Sequence, residues 1–227
     1  SHYKPAMAEI CTVKYSEQHL LSIGTRSRRQ PMQALIQVCD AEAVILAAGL
    51  STRAGRWKMG LPLGDRTVLQ RCVDSMRHAV RRIWVVTGWQ ADQVQAMLGD
   101  DPQVELVPNP DYQTGMFSSV QAGLARVRAE RTFLTPGDYA LISPAVYDRM
   151  LGVEAEIVIP TYRAKKGHPV LLGESAVVEI LALPPDGILR DYIQAKGYTT
   201  LKTDDDGILL DIDTPQDYAA LRARLGV

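Results

Sequence analysis

The chain has 227 residues, of which 46% are hydrophobic and 22% charged, and its formal net charge is -1. This composition is typical of one globular domain with a sizeable core. The near-neutral charge argues against a nucleic-acid-binding or membrane-binding surface, and no apolar run approaches the roughly 20 residues that span a bilayer.

The first 40 residues are the least informative part of the chain. They lack the apolar centre of a secretory signal, so we expect a cytoplasmic protein that binds neither nucleic acid nor membranes. The stretch 25–31 is basic and rich in residues that interrupt helices and strands, as in a linker. We interpret residues 1–40 as an N-terminal extension or a cloning remnant without assigned chemistry, and residues 41–227 as a single domain.

The most informative segment is the loop after the first predicted strand. The run 43–48 is apolar without alternation, which predicts a parallel strand buried on both faces, and Gly49 ends it where backbone N–H groups can face an anion. Arg53 and Lys58 then bring positive charge. Glycine lets the backbone approach phosphates, so the loop predicts a nucleoside triphosphate site. The spacing of Gly49, Gly55 and Lys58 fits neither a P-loop nor a dinucleotide fingerprint.

Predicted strands and helices alternate from this point onward. Short apolar runs predict further strands at 83–86, 104–107 and 132–134, and helical spacing predicts helices at 68–80, 91–98, 118–128, 144–151, 175–183 and 188–196. Such alternation is typical of an α/β, doubly wound, Rossmann-like fold with a mainly parallel sheet flanked by helices. Ligands of these folds lie beyond the carboxyl ends of the strands, where Gly49 and Asp138 both fall.

Three further segments carry groups suited to a bound phosphate compound. Asp138 follows a short buried strand, where a carboxylate can hold a hard cation against phosphates. Ser118 and Ser119 open a predicted helix, so their hydroxyl and N–H groups can face an anion. His168 follows the basic run 163–166, which we interpret as a flap over a phosphorylated acceptor. The alternatives are structural: helix caps for the aspartate and serines, solvated surface for the basic run, and a structural hydrogen bond for the histidine.

The segment 211–217 combines capping residues with three carboxylates. Alternation predicts Asp211 and Asp213 on one face of a short strand, and Thr214 can cap the helix that follows. Helix-start chemistry is one interpretation of the whole segment. Capping needs only one side chain, however, and this density of carboxylates repels itself unless a cation or solvent compensates.

These segments resemble the MobA-like family of nucleotidyltransferases, which attach CMP or GMP to molybdopterin. The residues 46–58 match its signature Leu-Ala-Ala-Gly-x-Ser-x-Arg-x-Gly-x-x-Lys, and the later segments follow in family order to about residue 225. The resemblance implies a fold of the nucleotide-diphospho-sugar transferase type, with residues 41–227 as one nucleotidyltransferase domain. It implies Mg2+ as cofactor, bound by Asp138 and Asp213.

The resemblance also assigns roles to single residues. It implies that Arg53, Lys58 and Asp138 are catalytic, and that Ser118, Ser119 and His168 contact the acceptor. The nucleotide contacts that it implies are Leu46, Ala47, Ala48, Gly49, Ser51, Arg53 and Lys58. In the implied reaction, an acceptor phosphate attacks the α-phosphorus of the nucleotide and pyrophosphate leaves, with Lys58 and Arg53 on one side of the triphosphate and magnesium on the other.

Substrate choice follows from the same resemblance. In the family that the chain resembles, guanylyl enzymes tend to carry Leu-Ala-Gly-Gly and cytidylyl enzymes Leu-Ala-Ala-Gly, so the resemblance implies CTP rather than GTP. A physical reason for this preference is that the β-carbon of Ala48 would crowd a purine more than a pyrimidine. The implied partners are CTP or GTP, a molybdopterin-type acceptor, and a molybdoenzyme or its chaperone. Phe117 stands where the family commonly has a small residue, and Ala140 replaces a proline.

Three other functions fit part of the pattern. A sugar-phosphate or alcohol-phosphate nucleotidyltransferase would share the first loop and both aspartates. A non-catalytic nucleotide-binding module is compatible with the departures at Phe117 and Ala140. An NAD-linked oxidoreductase fits the fold class, but the missing fingerprint and the lack of an obvious ribose-binding carboxylate argue against it.

Overall fold

The protein is built around a mixed sheet with helices on both faces. The computed structural model describes residues 40–49 and 57–227. Its strands are β1 (Ala41–Leu46), β2 (Pro62–Leu63), β3 (Arg66–Thr67), β4 (Arg82–Thr87), β5 (Val104–Pro108), β6 (Arg131–Pro136), β7 (Ile157–Tyr162), β8 (Lys165–Lys166), β9 (Val170–Gly173) and β10 (Thr199–Lys202). Its α-helices are α1 (Val68–Met76), α2 (Ala91–Leu98), α3 (Met116–Leu124), α4 (Pro144–Leu151), α5 (Glu174–Ala182), α6 (Leu189–Lys196) and α7 (Pro215–Leu225).

Most neighbouring strands of the main sheet run parallel. In the described part of the chain this sheet has eight strands, in the order β10-β7-β9-β6-β1-β4-β5, with β8 paired to β7. β1 lies between β4 and β6 and is parallel to both, with Val44 opposite Trp84 and Leu134. β9 is antiparallel to both β6 and β7. The predicted doubly wound α/β class with a mainly parallel sheet is therefore confirmed.

β1 is buried along its whole length although it contains a charged residue. Glu42 is only 3% exposed. It accepts hydrogen bonds from Arg81 Nε and Trp84 Nε1, each at 3.0 Å, and from the backbone N–H of Arg128 at 2.9 Å. Because buried charge is tolerated when it is paired and hydrogen-bonded, the strand begins at Ala41 rather than at the predicted residue 43.

Two apolar layers cover the two faces of the sheet. Successive side chains of a strand point to opposite faces, so Ile45 packs in the layer that contains Met76 of α1, and Val44 packs in the layer that contains Val120 of α3. α1 begins with a capping box, in which the Thr67 side chain accepts from the N–H of Gln70 and the Gln70 side chain accepts from Thr67.

The predicted helices differ from the structure mainly at their ends, whereas the sequence predicts the strands β1, β4, β5 and β6 but not β2, β3, β7, β8 and β10. α1 ends at Met76 instead of residue 80, and α3 spans Met116–Leu124 instead of 118–128. The prediction of a short strand at Asp211 to Asp213 is wrong: this segment pairs with no strand in the described part of the chain and follows a 3-10 helix at Asp206–Leu209. The alternation of polar and apolar residues in this segment reflects the burial of Ile212 next to the exposed Asp213, and not a strand. No helix among the described residues is both long and apolar enough to span a bilayer.

Candidate active site

A large cleft opens where β1 and β6 end. Its volume is about 1270 Å3, and it is bordered by Leu46, the last residue of β1, and by Pro136, the last residue of β6. The structure brings the following residues with predicted roles to its lining: Leu46, Lys58, Ser118, Asp138, His168 and Asp213. The predictions for Ser51 and Arg53 concern residues outside the described part of the chain.

The end of β1 is held by backbone hydrogen bonds and close packing. The N–H of Ala47 donates to the carbonyl of Val86 at 2.9 Å, and the carbonyl of Ala48 accepts from Trp89 at 3.2 Å. Gly49 is exposed. Ala48 is only 3% exposed, and a β-carbon built on Gly88 would lie 3.0 Å from its methyl group. The expectation that the Ala48 β-carbon directly crowds a base therefore needs correction, because this methyl group packs inside the protein.

Lys58 reaches the cleft from a short, well-anchored turn. It begins the 3-10 helix Lys58–Gly60, whose Met59 is buried. A β-carbon built on Gly137 would lie 3.0 Å from Met59 Sδ, so the glycine lets this turn approach the chain beside Asp138 closely. Lys58 Nζ donates to Asp138 Oδ2 at 3.3 Å and to Asp213 Oδ1 at 2.7 Å. Lys58 and these two aspartates are therefore in direct contact, and the expectation that Lys58 and magnesium hold a bound triphosphate from opposite sides stays a prediction.

Three carboxylates converge around this ammonium group. Asp138, Asp211 and Asp213 each offer one oxygen within 4.8 Å of the others. Asp138 follows Gly137, whose N–H donates to the carbonyl of Leu46 at 3.0 Å and thereby joins the ends of β6 and β1. Carboxylate oxygens are the ligands that hard divalent cations prefer, so the donor set fits Mg2+ or Mn2+.

The start of α7 fixes the position of Asp213. The Thr214 side chain accepts from the N–H of Asp217, and the Asp217 carboxylate accepts from Thr214 in return, which completes the predicted cap as a capping box. The same carboxylate accepts from the N–H of Asp213 at 3.1 Å. Ile212 packs in a small apolar cluster that includes Ala140. The loop beside Asp138 is thus shaped by packing against the segment that carries Asp213.

The electrostatics of the cluster favour a bound cation. Burial raises the pKa of Asp138, the charge and hydrogen bond of Lys58 lower it in part, and Asp211 raises it further. Burial and the neighbouring Asp213 raise the pKa of Asp211. Burial lowers the pKa of Lys58, but its hydrogen bonds and charge interactions with Asp213 and Asp138 outweigh this effect and raise it above its usual value. Lys58 is therefore a fully charged counter-ion to the carboxylates.

The two predicted acceptor-site serines lie at different depths. Ser118 lines the cleft, and Ser119, 4% exposed, lies behind it. Asn109 Nδ2 donates to the hydroxyl oxygens of Ser118 at 3.0 Å and of Ser119 at 2.9 Å. The Ser118 hydroxyl also contacts the carbonyl of Gly115 at 2.9 Å. The structure therefore uses both hydroxyls to shape the start of α3 and leaves Ser118 at the cleft surface.

His168 is a neutral group in the wall of the cleft. Burial lowers its pKa to about 4, and a hydrogen bond with the backbone of Leu134 offsets this only in part. Its backbone N–H donates to the carbonyl of Ile208 at 2.9 Å, which joins the loop after β8 to the 3-10 helix before Asp211. Its ring centroid lies 4.5 Å from that of Tyr139.

Tyr139 and Asn109 are residues for which the sequence predicted no separate role. Tyr139 lines the cleft, and burial together with the charges of Asp211, Asp138 and Asp213 raises the pKa of its hydroxyl above the usual range. Its position next to Asp138 is the only sequence signal for it. Asn109 begins the segment that contains the serines, but its contacts depend on the fold of the intervening turn.

The outer wall of the cleft combines two cations with an apolar surface. Lys166 and Arg190 both line it, and Lys166 Nζ donates to the Tyr198 hydroxyl at 3.0 Å. Phe117 contributes an aromatic ring, and a β-carbon built on Gly187 would lie 2.9 Å from that ring. The turn before α6 therefore packs on the ring of Phe117. A ligand with an anionic group and an apolar body suits this wall.

Comparisons with known proteins identify the family. The model of the MobA-like NTP transferase domain matches residues 43–201. Molybdenum cofactor cytidylyltransferase of Escherichia coli strain K12 is 28% identical over 184 residues, which cover 81% of this chain and 96% of that protein. The crystal structure of Rv0371c from Mycobacterium tuberculosis H37Rv is 30% identical, with a TM-score of 0.70, over 81% of this chain and 98% of that one.

A second structure of the mycobacterial protein is a complex with manganese. It is 27% identical to this chain, with a TM-score of 0.67, over 82% of this chain and 99% of that one. The matched region of the family model begins in β1 and ends in β10, so it includes Lys58 and Asp138 together with most of the cleft. The chain therefore belongs to the MobA-like NTP transferase family and is a nucleotidyltransferase.

Proposed function

We propose that this nucleotidyltransferase transfers CMP from CTP to a phosphorylated acceptor of the molybdopterin type, with Mg2+ as cofactor and pyrophosphate as the second product. The observation that carries the proposal is the contact of Lys58 with Asp138 and Asp213 beside a cleft of about 1270 Å3. The similarity to the Escherichia coli molybdenum cofactor cytidylyltransferase supports the choice of nucleotide and acceptor.

The proposed reaction is an in-line displacement at the α-phosphorus. An oxygen of the acceptor phosphate forms a bond to this phosphorus, and the bond from phosphorus to the oxygen bridging to the β-phosphate breaks. Pyrophosphate leaves with the electron pair of that bond. No side chain of the protein forms a covalent intermediate, so the protein acts by positioning the reactants and by stabilising the developing charge.

The carboxylates are proposed to hold the cation. Asp138 and Asp213 would bind it, with Asp211 as the third nearby oxygen ligand. When bound, Mg2+ supplies positive charge to the phosphate oxygens. The manganese complex of the mycobacterial relative supports a divalent cation in this family.

The remaining residues are assigned to the two substrates. Lys58 and Arg53 would offset the charge that grows on pyrophosphate. The end of β1 would contact the nucleotide through Leu46, Ala47, Ala48, Gly49 and Ser51. Ser118, Ser119 and His168 would form or support the acceptor side, where the neutral imidazole can accept or donate a hydrogen bond without adding charge. We also propose residues 41–227 as the single catalytic domain.

The decisive experiment measures pyrophosphate release with each of four nucleoside triphosphates and Mg2+, with and without molybdopterin. We expect release with CTP that depends on molybdopterin. If pyrophosphate is released with a sugar phosphate or an alcohol phosphate but not with molybdopterin, then the acceptor is that phosphate compound and not molybdopterin. Binding of CTP without release under every condition would instead indicate a non-catalytic nucleotide-binding module.

A further inference from the structure

A cation already lies between the carboxylates that would bind the metal ion. The gap between Asp138 Oδ2 and Asp213 Oδ1 holds the ammonium of Lys58, at 3.3 Å and 2.7 Å from the two oxygens. The side chains of Lys58 and Asp138 are only 12% and 11% exposed, so solvent screens this contact weakly. A metal ion held by the same two oxygens, at about 2.0–2.6 Å from each, would lie in the same gap.

We propose that Lys58 holds the place of the divalent cation between Asp138 and Asp213, that metal binding displaces its ammonium group, and that the displaced ammonium binds the polyphosphate that arrives with the metal. The second half rests on the proposed function, because it requires a polyphosphate ligand. The first half depends only on the contacts of the described residues.

Displacement follows from electrostatic repulsion. Two cations cannot share one narrow gap between the same oxygens, because their mutual repulsion in a partly buried site is far stronger than in water. The third carboxylate, Asp211, lies within the same cluster and is available to the metal ion. The metal thus gains oxygen ligands only by separating Lys58 from them.

The backbone around Lys58 allows the side chain to move alone. Met59 is buried next to Gly137 and anchors the turn, whereas the lysine side chain has four rotatable carbons between its backbone and its ammonium. A change of side-chain rotamer moves the charge by several ångströms without moving the turn. The Lys58 side chain therefore has two positions: in one its ammonium group contacts the carboxylates, and in the other it points towards the ligand.

If metal binding displaces the ammonium group of Lys58, then removal of the lysine charge should have opposite effects on two affinities, that for the metal ion alone and that for the metal–polyphosphate complex. Removal of the lysine charge removes the competition between this ammonium group and the metal ion, so the metal ion alone binds more tightly. The metal-bound polyphosphate loses its contact with the ammonium, so the complex of both binds more weakly. A structural defect caused by the substitution would weaken the binding of both ligands. An effect of net charge alone would change the two affinities in the same way when any other lysine is substituted.

The test uses the full chain and two variants. Lys58→Met removes the charge and keeps an unbranched side chain of similar length. Lys202→Met is the matched control, because this exposed residue of β10 also carries one positive charge but lies in a strand away from the cluster. Binding of Mn2+ alone is measured by electron paramagnetic resonance of the free ion, and binding of the preformed Mn2+–tripolyphosphate complex is measured by calorimetry.

We expect Lys58→Met to bind Mn2+ alone about tenfold more tightly than the unmodified chain and the tripolyphosphate complex about tenfold more weakly, which lies in the usual range of coupling between sites. Lys202→Met should leave both affinities unchanged. Unchanged or weaker binding of Mn2+ alone by Lys58→Met overturns the inference, as does the same gain in Lys202→Met. Neither probe contains a base or an acceptor, so failure of pyrophosphate release with CTP and molybdopterin would refute the proposed reaction without affecting this result.

Discussion

The ammonium of Lys58 lies 2.7 Å from a carboxylate oxygen of Asp213, a residue 155 positions further along the chain. The contact joins the turn after β1 to the segment that precedes α7. Asp138, which follows β6, accepts a hydrogen bond from the same ammonium group. Three distant parts of the chain therefore meet where the strands end.

Two aspartates four residues apart are expected to have separable roles. Asp213→Ala should reduce pyrophosphate release at least about 100-fold, because it removes a proposed metal ligand, and should change stability little, because its side chain is 50% exposed. Asp217→Ala removes half of the capping box at α7 and should lower the free energy of unfolding by about 1 kcal/mol.

Steady-state kinetics and urea unfolding of both variants check this separation. The rate per folded molecule should fall at least about tenfold further in Asp213→Ala than in Asp217→Ala. Equal losses of rate in the two variants would show that Asp213 acts only through the local structure.

The nucleotide preference is expected to favour CTP. Calorimetric titrations with Mg2+ should show tighter binding of CTP than of GTP. Ala48→Gly should leave this preference unchanged, because the methyl group of Ala48 packs inside the protein. Tighter binding of GTP by the unmodified chain would contradict the assignment of the base.

His168 is expected to make the protein less stable in mild acid. Its pKa in the folded protein is about 4, below the unfolded value of about 6.5, so below pH 6.5 the unfolded chain takes up a proton that the folded chain does not. The stabilising contribution is fully present above pH 6.5 and is lost as the pH falls towards 4, by up to about 3 kcal/mol.

Urea unfolding between pH 7 and pH 4 tests this contribution. His168→Gln, which cannot titrate, should lose less stability over this range than the unmodified chain. His78→Gln is the control, because His78 is exposed and its ring contacts Asp148 at 3.0 Å. An identical loss in His168→Gln and the unmodified chain would show that His168 does not cause the acid sensitivity.

Gly123 is expected to be essential for the packing of α3 on the sheet. A β-carbon at this position would lie 2.3 Å from Val44 Cγ1 and 2.8 Å from Val86 Cγ2. Gly123→Ala should therefore lower the free energy of unfolding by about 1–3 kcal/mol, despite the higher helix propensity of alanine. Thermal and urea unfolding measure the change, and a stabilised variant would show that α3 shifts to accommodate the methyl group.

Local sequence patterns predicted most of the fold because they depend on short windows. The periodicity of the residues in α2 and α4 predicted both helices with their observed bounds. The alternation of Asp211, Ile212 and Asp213 gave a wrong prediction of a strand, since a strand also needs a partner and none is present for it among the described residues. The apolar pattern places Glu42 outside the first strand, since the groups that compensate its charge come from distant positions in the sequence.

The sequence by itself determined the family, most of the helices, the strands β1, β4, β5 and β6, and the acidic and basic residues available to the site. The order of the motifs and the residue types can be identified from the amino-acid sequence without a structure. The tertiary structure decided how those residues meet: the ammonium of Lys58 contacts Asp213, Ser119 is buried behind Ser118, and the methyl group of Ala48 packs inside the protein. These relationships depend on contacts between segments that are far apart in sequence, and only the packing of the folded chain brings those segments within a few ångströms.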